Sequence, residues 1–243
     1  MKSIGTTLES RGAEARALLH RIGSQYPSAA LASSFGAEDM VLTDLIARNQ
    51  LPIAIFTLDT GRLPDETYAL IDRVREHYGV PIEVYYPDTR AIETYVRDNG
   101  VNAFYHGVEL RQGCCAIRKT EPLARALAGR DAWITGQRRA QSVTRSAVEI
   151  EEIDPAHAIR KFNPLADWSE DEVWTYVRDH EVPYNRLHDR GYPSIGCAPC
   201  TRAILPGEDV RAGRWWWESA DHKECGLHSR PLDVIVRAAG VSA

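Results

Sequence analysis

The chain has 243 residues and carries 29 basic against 34 acidic side chains, a net charge of −5. Its 44% hydrophobic and 26% charged residues are typical of a globular protein and exclude a disordered or fibrous chain. The acidic balance argues against bulk nucleic-acid binding, and no apolar run approaches the roughly 18 residues of a membrane helix. The N-terminus lacks the apolar core of a secretory signal, so we expect a cytoplasmic protein.

Short apolar strands alternate with amphipathic helices over the first half of the chain. The pattern predicts, in order, helix Leu8–Tyr26, strand Ala29–Ser33, helix Glu38–Arg48, strand Ile53–Leu58, helix Pro64–Tyr78, strand Ile82–Tyr86, helix Glu121–Ala128 and strand Trp133–Thr135. Pro64 is expected as the first helical residue, where its missing N–H is harmless. Such strands imply an α/β fold, with a parallel twisted sheet covered by helices on both faces.

The character of the sequence changes from about Asp154 onward. Ser169 and the acidic residues after it predict a capped helix that runs to Asp179. Several prolines then interrupt the pattern, so the tail from Gly191 is expected to consist of loops and short helices. Segments of this kind often carry function and move.

Three loops leave predicted strands at the same edge of the sheet, where ligands bind in open parallel sheets. The loop residues that we select as candidate ligand contacts are Ser33, Ser34, Phe35, Gly36, Leu58 and Gly136. Serine hydroxyls, a glycine that lets the backbone approach an anion, and free N–H groups at a helix start together suit a phosphate. A plain turn followed by a helix cap explains the same residues equally simply.

Arginines concentrate beside this edge in an otherwise acidic chain. Arg138, Arg139 and Arg145 suit bidentate recognition of phosphate or carboxylate. The alternative is a solvated helix face, with these cations paired to the nearby acidic residues Glu149, Glu151 and Glu152.

Four of the five cysteines form two close pairs, Cys114 with Cys115 and Cys197 with Cys200. Four soft thiolates suit an iron–sulfur cluster or zinc. Adjacent cysteines fit a multi-metal cluster more readily than one tetrahedral ion, and Lys119 would partly neutralise the thiolates. Zinc, a redox dithiol and inert reduced thiols remain the alternatives.

The fifth cysteine, Cys225, stands alone near the C-terminus. His222, Lys223 and His228 flank it and would lower its pKa, which populates the nucleophilic thiolate. Arg211 and Arg214 lie upstream and add a basic approach. A free cysteine in a polar tail can equally be incidental.

Together, the Ser33–Asp39 loop, the Leu58–Gly61 loop, the two cysteine pairs and the Glu224–His228 tail resemble the assimilatory adenylylsulfate (APS) reductase family. The resemblance runs from about Ser28 to His228. It implies an adenine nucleotide alpha-hydrolase-like fold with a modified pyrophosphate loop, and thioredoxin-dependent reduction of APS to sulfite and AMP. It also implies one 4Fe–4S cluster on the four paired cysteines.

The resemblance assigns the nucleophile to Cys225, which would form an S-sulfonate intermediate. Lys119, Arg145, Arg211, Arg214 and His228 would screen the attack of one anion on another. We expect one catalytic domain in residues 1–206, with a mobile segment in residues 207–243 that carries Cys225. The partners implied are APS and an external thioredoxin, without nucleic acid or membrane, and a homo-oligomer is left open.

Three other functions are weighed against this one. Relatives that reduce the 3′-phosphorylated substrate (PAPS) lack the paired cysteines, so the pairs favour APS. A nucleotide-binding iron–sulfur regulator without catalysis would not need Cys225 beside its basic neighbours. A zinc-stabilised tRNA-modifying enzyme would use ATP, and its SGGxDS-type loop is replaced here by Ser33–Asp39.

Overall fold

The computed structural model describes residues 2–141, 145 and 147–218, and side chains from Leu8 onward. The helices are α1 (Lys2–Gln25), α2 (Ala37–Arg48), α3 (Asp65–Tyr78), α4 (Thr89–Asn99), α5 (Val108–Cys115), α6 (Glu121–Leu127) and α7 (Glu170–Asp179). The strands are β1 (Ala30–Ala32), β2 (Ala54–Leu58), β3 (Glu83–Tyr85), β4 (Ala132–Ile134), β5 (Glu151–Asp154) and β6 (Ile159–Phe162). None of the described helices is long and apolar enough to cross a membrane.

The strands form one sheet in the order β3-β2-β1-β4-β6-β5. All neighbours run parallel except β5, which pairs antiparallel with β6 at the edge. Since parallel neighbours need crossover connections, the helices between them fall on the faces of the sheet. The carboxyl ends of β1, β2 and β4 therefore meet side by side.

Two apolar clusters cover the two faces of the sheet, as expected. The larger cluster packs α1, α2, α3 and α7 against one face, and its centre includes the fully buried Leu19, Met40 and Leu70. The smaller cluster packs Leu123 and Leu127 of α6 against the other face. Burial of each such side chain stabilises the fold by about 1.5–3 kcal/mol, so helices on both faces hold the site-bearing edge rigid.

Helix ends follow from local residues, with one correction to the sequence prediction. The Ser169 hydroxyl accepts from the Glu172 N–H and the Glu172 carboxylate accepts from the Ser169 N–H, the predicted capping box of α7. The placement of Pro64 inside α3 was wrong by one residue. Its backbone is extended, with ψ 149°, and its carbonyl accepts from the Thr67 N–H at 2.9 Å, so Pro64 precedes the helix and Asp65 begins it.

A π-helical turn, Ala116–Thr120, joins α5 directly to α6. The cysteine pair at the end of α5, Lys119 within the turn and the apolar residues of α6 thus lie on one continuous helical run. Turns of this type widen a helix locally and occur frequently at functional sites. Here the turn sets the rotation of the cysteines relative to the face of α6 that packs on the sheet.

Candidate active site

A cavity of about 240 Å³ opens at the carboxyl ends of β1, β2 and β4. Hydrogen bonds between strands hold its floor, with the Ser33 N–H donating to the Phe56 carbonyl at 2.8 Å and the Thr135 N–H to the Phe162 carbonyl at 2.9 Å. The predicted site residues on its wall are Ser33, Ser34, Leu58, Lys119, Gly136, Arg145, Cys197, Arg211 and Arg214. Apolar side chains, including Phe56 and Leu123, share this lining.

The loop after β1 is folded around the carboxylate of Asp39. The Ser34 N–H and the Ser34 hydroxyl each donate to Asp39 Oδ2 at 2.7 Å. Asp39 is 7% exposed, and burial raises the pKa of its carboxyl group to about 6. These bonds fix the Ser34 side of the cavity to the first turn of α2.

Phe35 and Gly36, unlike Ser33 and Ser34, do not line the main cavity. Phe35 has φ +60° and its side chain, 1% exposed, is buried in the larger core cluster. Its positive φ turns the chain so that the serines face the cavity while the ring anchors the loop. Gly36 precedes α2 and lines a neighbouring cavity of about 160 Å³. A ligand in the main cavity could meet Phe35 only through its backbone.

Gly136 allows the loop after β4 to touch the start of α2. A Cβ atom at this position would collide with Asp39 Oδ1 and would lie 2.8 Å from the Cβ of Glu38. Only glycine permits this approach without displacement of a neighbour. The loops after β1 and β4 therefore form one continuous wall of the cavity.

The three arginines of the predicted cluster have separate environments. Arg138 is buried and its guanidinium lies 2.8 Å from Glu38 Oε1, so it braces α2. Arg139 pairs with Asp167 and, at 3.7 Å, with Glu149. Arg145 lines both cavities. The acid-paired alternative thus describes Arg139, whereas Arg145 is the member placed for a ligand.

All four paired cysteines line one narrow cleft beside the main cavity, together with Arg118 and Lys119. Cys114 and Cys115 end α5, while Cys197 precedes a short 3₁₀ turn, Ala198–Cys200, and Cys200 ends it. None of the four is in a disulfide. Two elements distant in sequence thus bring four thiols to one space.

The chemistry of these thiols fits a metal group. Burial, with the charge of Cys197 acting in the same direction, raises the pKa of Cys200 to about 12, and burial also raises the pKa of Cys114. Buried thiols of this kind ionise when a metal offsets the charge. Among the described residues, no group of three or more His, Cys, Asp or Glu side chains could hold a single metal ion. Four thiols on one cleft are the kind of donor set that binds zinc or an iron–sulfur cluster.

The cleft and the main cavity share a wall. Lys119, Cys197 and Trp215 line both. Thr60 lies at the same boundary, with its hydroxyl 3.3 Å from the Cys197 sulfur, and Arg118 donates to the Thr60 carbonyl at 2.6 Å. A charged group in the cleft would act on a ligand in the cavity across one layer of side chains.

Within residues 207–218, Arg214 and Trp215 are buried, at 7% and 1% exposed. The Trp215 N–H donates to the Cys200 carbonyl at 3.1 Å. Cys225 and His228 lie outside the described residues. The domain boundary after residue 206 and the mobility of residues 207–243 stay predictions.

Sequence reasoning did not select Asp39, Thr60 or Trp215 as site residues. Asp39 belongs to the identified Ser33–Asp39 segment, in the first turn of α2, and Thr60 belongs to the identified Leu58–Gly61 loop. Their membership of these segments was the available signal. Trp215 belongs to a run of three tryptophans, but nothing in the sequence indicates which of them is buried between the cleft and the cavity.

Comparison with known proteins bears on the identity of this site. Residues 28–203 match the protein family described as the phosphoadenosine phosphosulfate reductase domain. The chain is 59% identical over 224 residues to an adenosine 5′-phosphosulfate reductase of Allochromatium vinosum, covering 92% of this chain and 88% of the relative. It is 60% identical over 227 residues to one of Burkholderia cepacia, covering 93% and 91%.

A solved structure is similar in fold. The phosphoadenylyl-sulfate reductase of Candida auris, in complex with phosphate, superposes with a TM-score of 0.68 at 27% identity. The match covers 79% of this chain and 90% of that chain. The α/β fold expected from the sequence is confirmed.

Proposed function

This chain belongs to the phosphoadenosine phosphosulfate reductase domain family, and from that premise we propose that it reduces adenosine 5′-phosphosulfate to sulfite and AMP in sulfate assimilation. The observation that carries this function is the 60% identity, over 93% of the chain, to a protein named adenosine 5′-phosphosulfate reductase. The chain is accordingly an oxidoreductase that acts on a sulfur group.

The main cavity is the proposed binding site for the nucleotide. Its apolar lining, which includes Phe56, Leu58 and Leu123, suits an adenine ring, and its serines and cations suit a phosphosulfate. Among the cations, Lys119, Arg211 and Arg214 lie on the wall of the cavity. The phosphosulfate carries negative charge that these groups would neutralise at short range.

The first chemical step uses Cys225 as the nucleophile. Its thiolate attacks the sulfur of the substrate, a sulfur–sulfur bond forms, and the bond from sulfur to the bridging oxygen breaks. AMP leaves with the electron pair of that bond, and Cys225 carries a sulfonate. Lys119, Arg145, Arg211, Arg214 and His228 screen the approach of the thiolate to the anion.

The second step needs an external dithiol, for which we propose thioredoxin. One thiolate of thioredoxin attacks the Cys225 sulfur, and sulfite leaves with the electron pair of the sulfur–sulfur bond. The second thiol then resolves the mixed disulfide. Thioredoxin is oxidised to its disulfide while the sulfonate sulfur is reduced. The cysteines of this chain described by the structure are free thiols. Free thiols persist in a reducing compartment, which supports a cytoplasmic location.

Cys114, Cys115, Cys197 and Cys200 are the residues that would hold a 4Fe–4S cluster. The support is the donor set, which consists of four thiols on one cleft with the cationic neighbours Arg118 and Lys119. When bound, the cluster supplies a fixed charge next to the substrate cavity. Lys119, which lines both spaces, is the residue that would carry its effect to the phosphosulfate.

Purified protein with reduced thioredoxin tests the function, with sulfite as the measured product. We expect sulfite from APS, and a kcat/KM for APS well above that for PAPS. A strong preference for PAPS would move the chain to the sister activity, and no sulfite from either nucleotide would contradict catalysis. Iron and acid-labile sulfide analysis of the same sample separates a cluster from zinc.

A further inference from the structure

A buried ion pair joins α5 to the far end of the described chain. Arg111 Nε and Nη2 donate to the two carboxylate oxygens of Glu218 at 3.0 and 2.9 Å. The two side chains are only 1% and 4% exposed. Loss of either partner alone would leave the other charge buried and unpaired, which is strongly destabilising.

Trp215 connects this pair to the substrate cavity. The Glu218 N–H donates to the Trp215 carbonyl at 2.9 Å. The guanidinium groups of Arg111 and Arg214 both lie over the Trp215 ring, 4.8 and 4.7 Å from its centre. Cations at this distance are attracted to the face of an indole. A displacement of Glu218 would therefore shift Arg214 as well, because the Trp215 side chain lies against both arginines.

Arg211 and Arg214, which form the cationic end of the main cavity, belong to the same C-terminal segment as Trp215 and Glu218. We call residues 201–218 the arm. Within the arm, Thr201 forms a bridge with Arg214, and the Arg202 N–H donates to the Gly213 carbonyl at 3.0 Å. The Arg214 N–H in turn donates to the Arg211 carbonyl at 2.9 Å. Both arginines line the cavity.

We propose that the Arg111–Glu218 pair is a latch that positions Arg211 and Arg214 for the phosphosulfate of the substrate. Arg111 and Glu218 are positioning residues: neither lines the main cavity, and Arg111 lines the adjoining cysteine cleft. The inference rests on the proposed function, because it concerns the anionic part of that substrate. It predicts that the latch affects recognition of the sulfonate more than recognition of the nucleoside monophosphate.

Binding measurements on the full chain test the latch without turnover. In a Cys225→Ser background, titration calorimetry gives the Kd for APS and for AMP. We expect Glu218→Gln to raise the APS Kd at least about tenfold and the AMP Kd less than about threefold. The matched control is Glu208→Gln in the same arm, because the Arg202–Glu208 pair is about one-third exposed and exposed pairs contribute little.

A double variant guards against misfolding. Arg111→Leu with Glu218→Leu removes both charges, which a buried site tolerates better than one unmatched charge. We expect it to fold and to show the same selective loss of APS affinity, since the ring of Trp215 has lost one of its two cations and the arm has lost its anchor on α5. Recovery of normal APS binding in the double variant would overturn the latch.

The outcomes separate the two proposals. If the Cys225→Ser parent does not bind APS, the proposed function fails. If the parent binds APS and Glu218→Gln binds it equally well, only the latch fails. Equal losses for APS and AMP would also overturn the latch, because they would show that the pair supports the whole fold and not the cationic end.

Discussion

At Asp39, burial works against the charge of the side chain. Its pKa is raised to about 6, so the folded protein favours the protonated carboxyl more than the unfolded chain does. This contribution to the free energy of unfolding is present below the ordinary pKa of 3.8 and is lost as the pH rises through about 6. We expect Asp39→Asn to weaken the fall in stability over that range, as measured by urea unfolding at each pH.

Asp154 provides a control of opposite sign. Hydrogen bonds from His157 and the Ala156 N–H keep its pKa below the usual value, despite burial. Its contribution is present above pH 3.8 and is lost as the pH falls. Asp154→Asn should therefore destabilise the protein at neutral pH, where Asp39→Asn should not. Parallel pH profiles for wild type and Asp39→Asn would contradict this account of Asp39.

Gly136 holds the loop after β4 close to the start of α2. In Gly136→Ala, the new methyl group would meet Asp39 Oδ1, so the loop after β4 must move away from α2. We expect the KM for APS to rise about tenfold or more, in steady-state assays of sulfite release. Gly12→Ala is the control, because nothing lies within 4 Å of a Cβ there. Unchanged KM in Gly136→Ala would show that the two loops do not act as one wall.

At the scale of elements, the π turn between α5 and α6 determines where the cysteine pair points. Deletion of Ile117 would convert the turn toward α-helical pairing and rotate α5 by about 100° relative to α6. We expect the variant to fold, because α6 keeps its contacts with the sheet, but to lose most of the iron that the proposed cluster would supply. Circular dichroism and iron analysis measure the two properties. Ile117→Val, which keeps the turn, should retain iron.

The sequence predicted those elements whose residues bury apolar side chains locally. Strands β1, β2 and β4 and helices α2, α3 and α7 were all found within a few residues. β5 was missed because Glu151–Asp154 is mainly polar and becomes a strand only by pairing with β6. α4 was missed although Asp88 caps it, since this helix carries no fully buried residue. The π turn depends on tertiary packing and has no sequence signature.

The residues of the candidate site also fall into those that local sequence predicts and those that depend on contacts between distant segments. Motifs of local sequence predicted the serines, Gly136 and the four cysteines, and the structure places these residues around the cavity and the adjoining cleft. The pairing of Arg111 with Glu218, by contrast, joins residues more than a hundred positions apart. Such contacts depend on how helices and loops meet in three dimensions, which composition and periodicity do not specify.

In the molecule as a whole, the helices on both faces of the sheet support the edge where the main cavity lies. Helices on both faces fix the strands, the strand ends form the main cavity, and the helical run from α5 to α6 brings the cysteine cleft against it. The arm closes the same region from the C-terminal side. The chain as a whole is acidic, but its site is rich in cations because Lys119, Arg145, Arg211 and Arg214 line one cavity.

A single-turnover experiment shows whether Cys225 takes the sulfonate from APS. Reduced protein is mixed with APS without thioredoxin, AMP is quantified, and intact mass identifies the adduct. The account predicts one AMP released per active site and one sulfonate on Cys225, both abolished in Cys225→Ser. AMP release without an adduct, or an adduct that persists in Cys225→Ser, would contradict it.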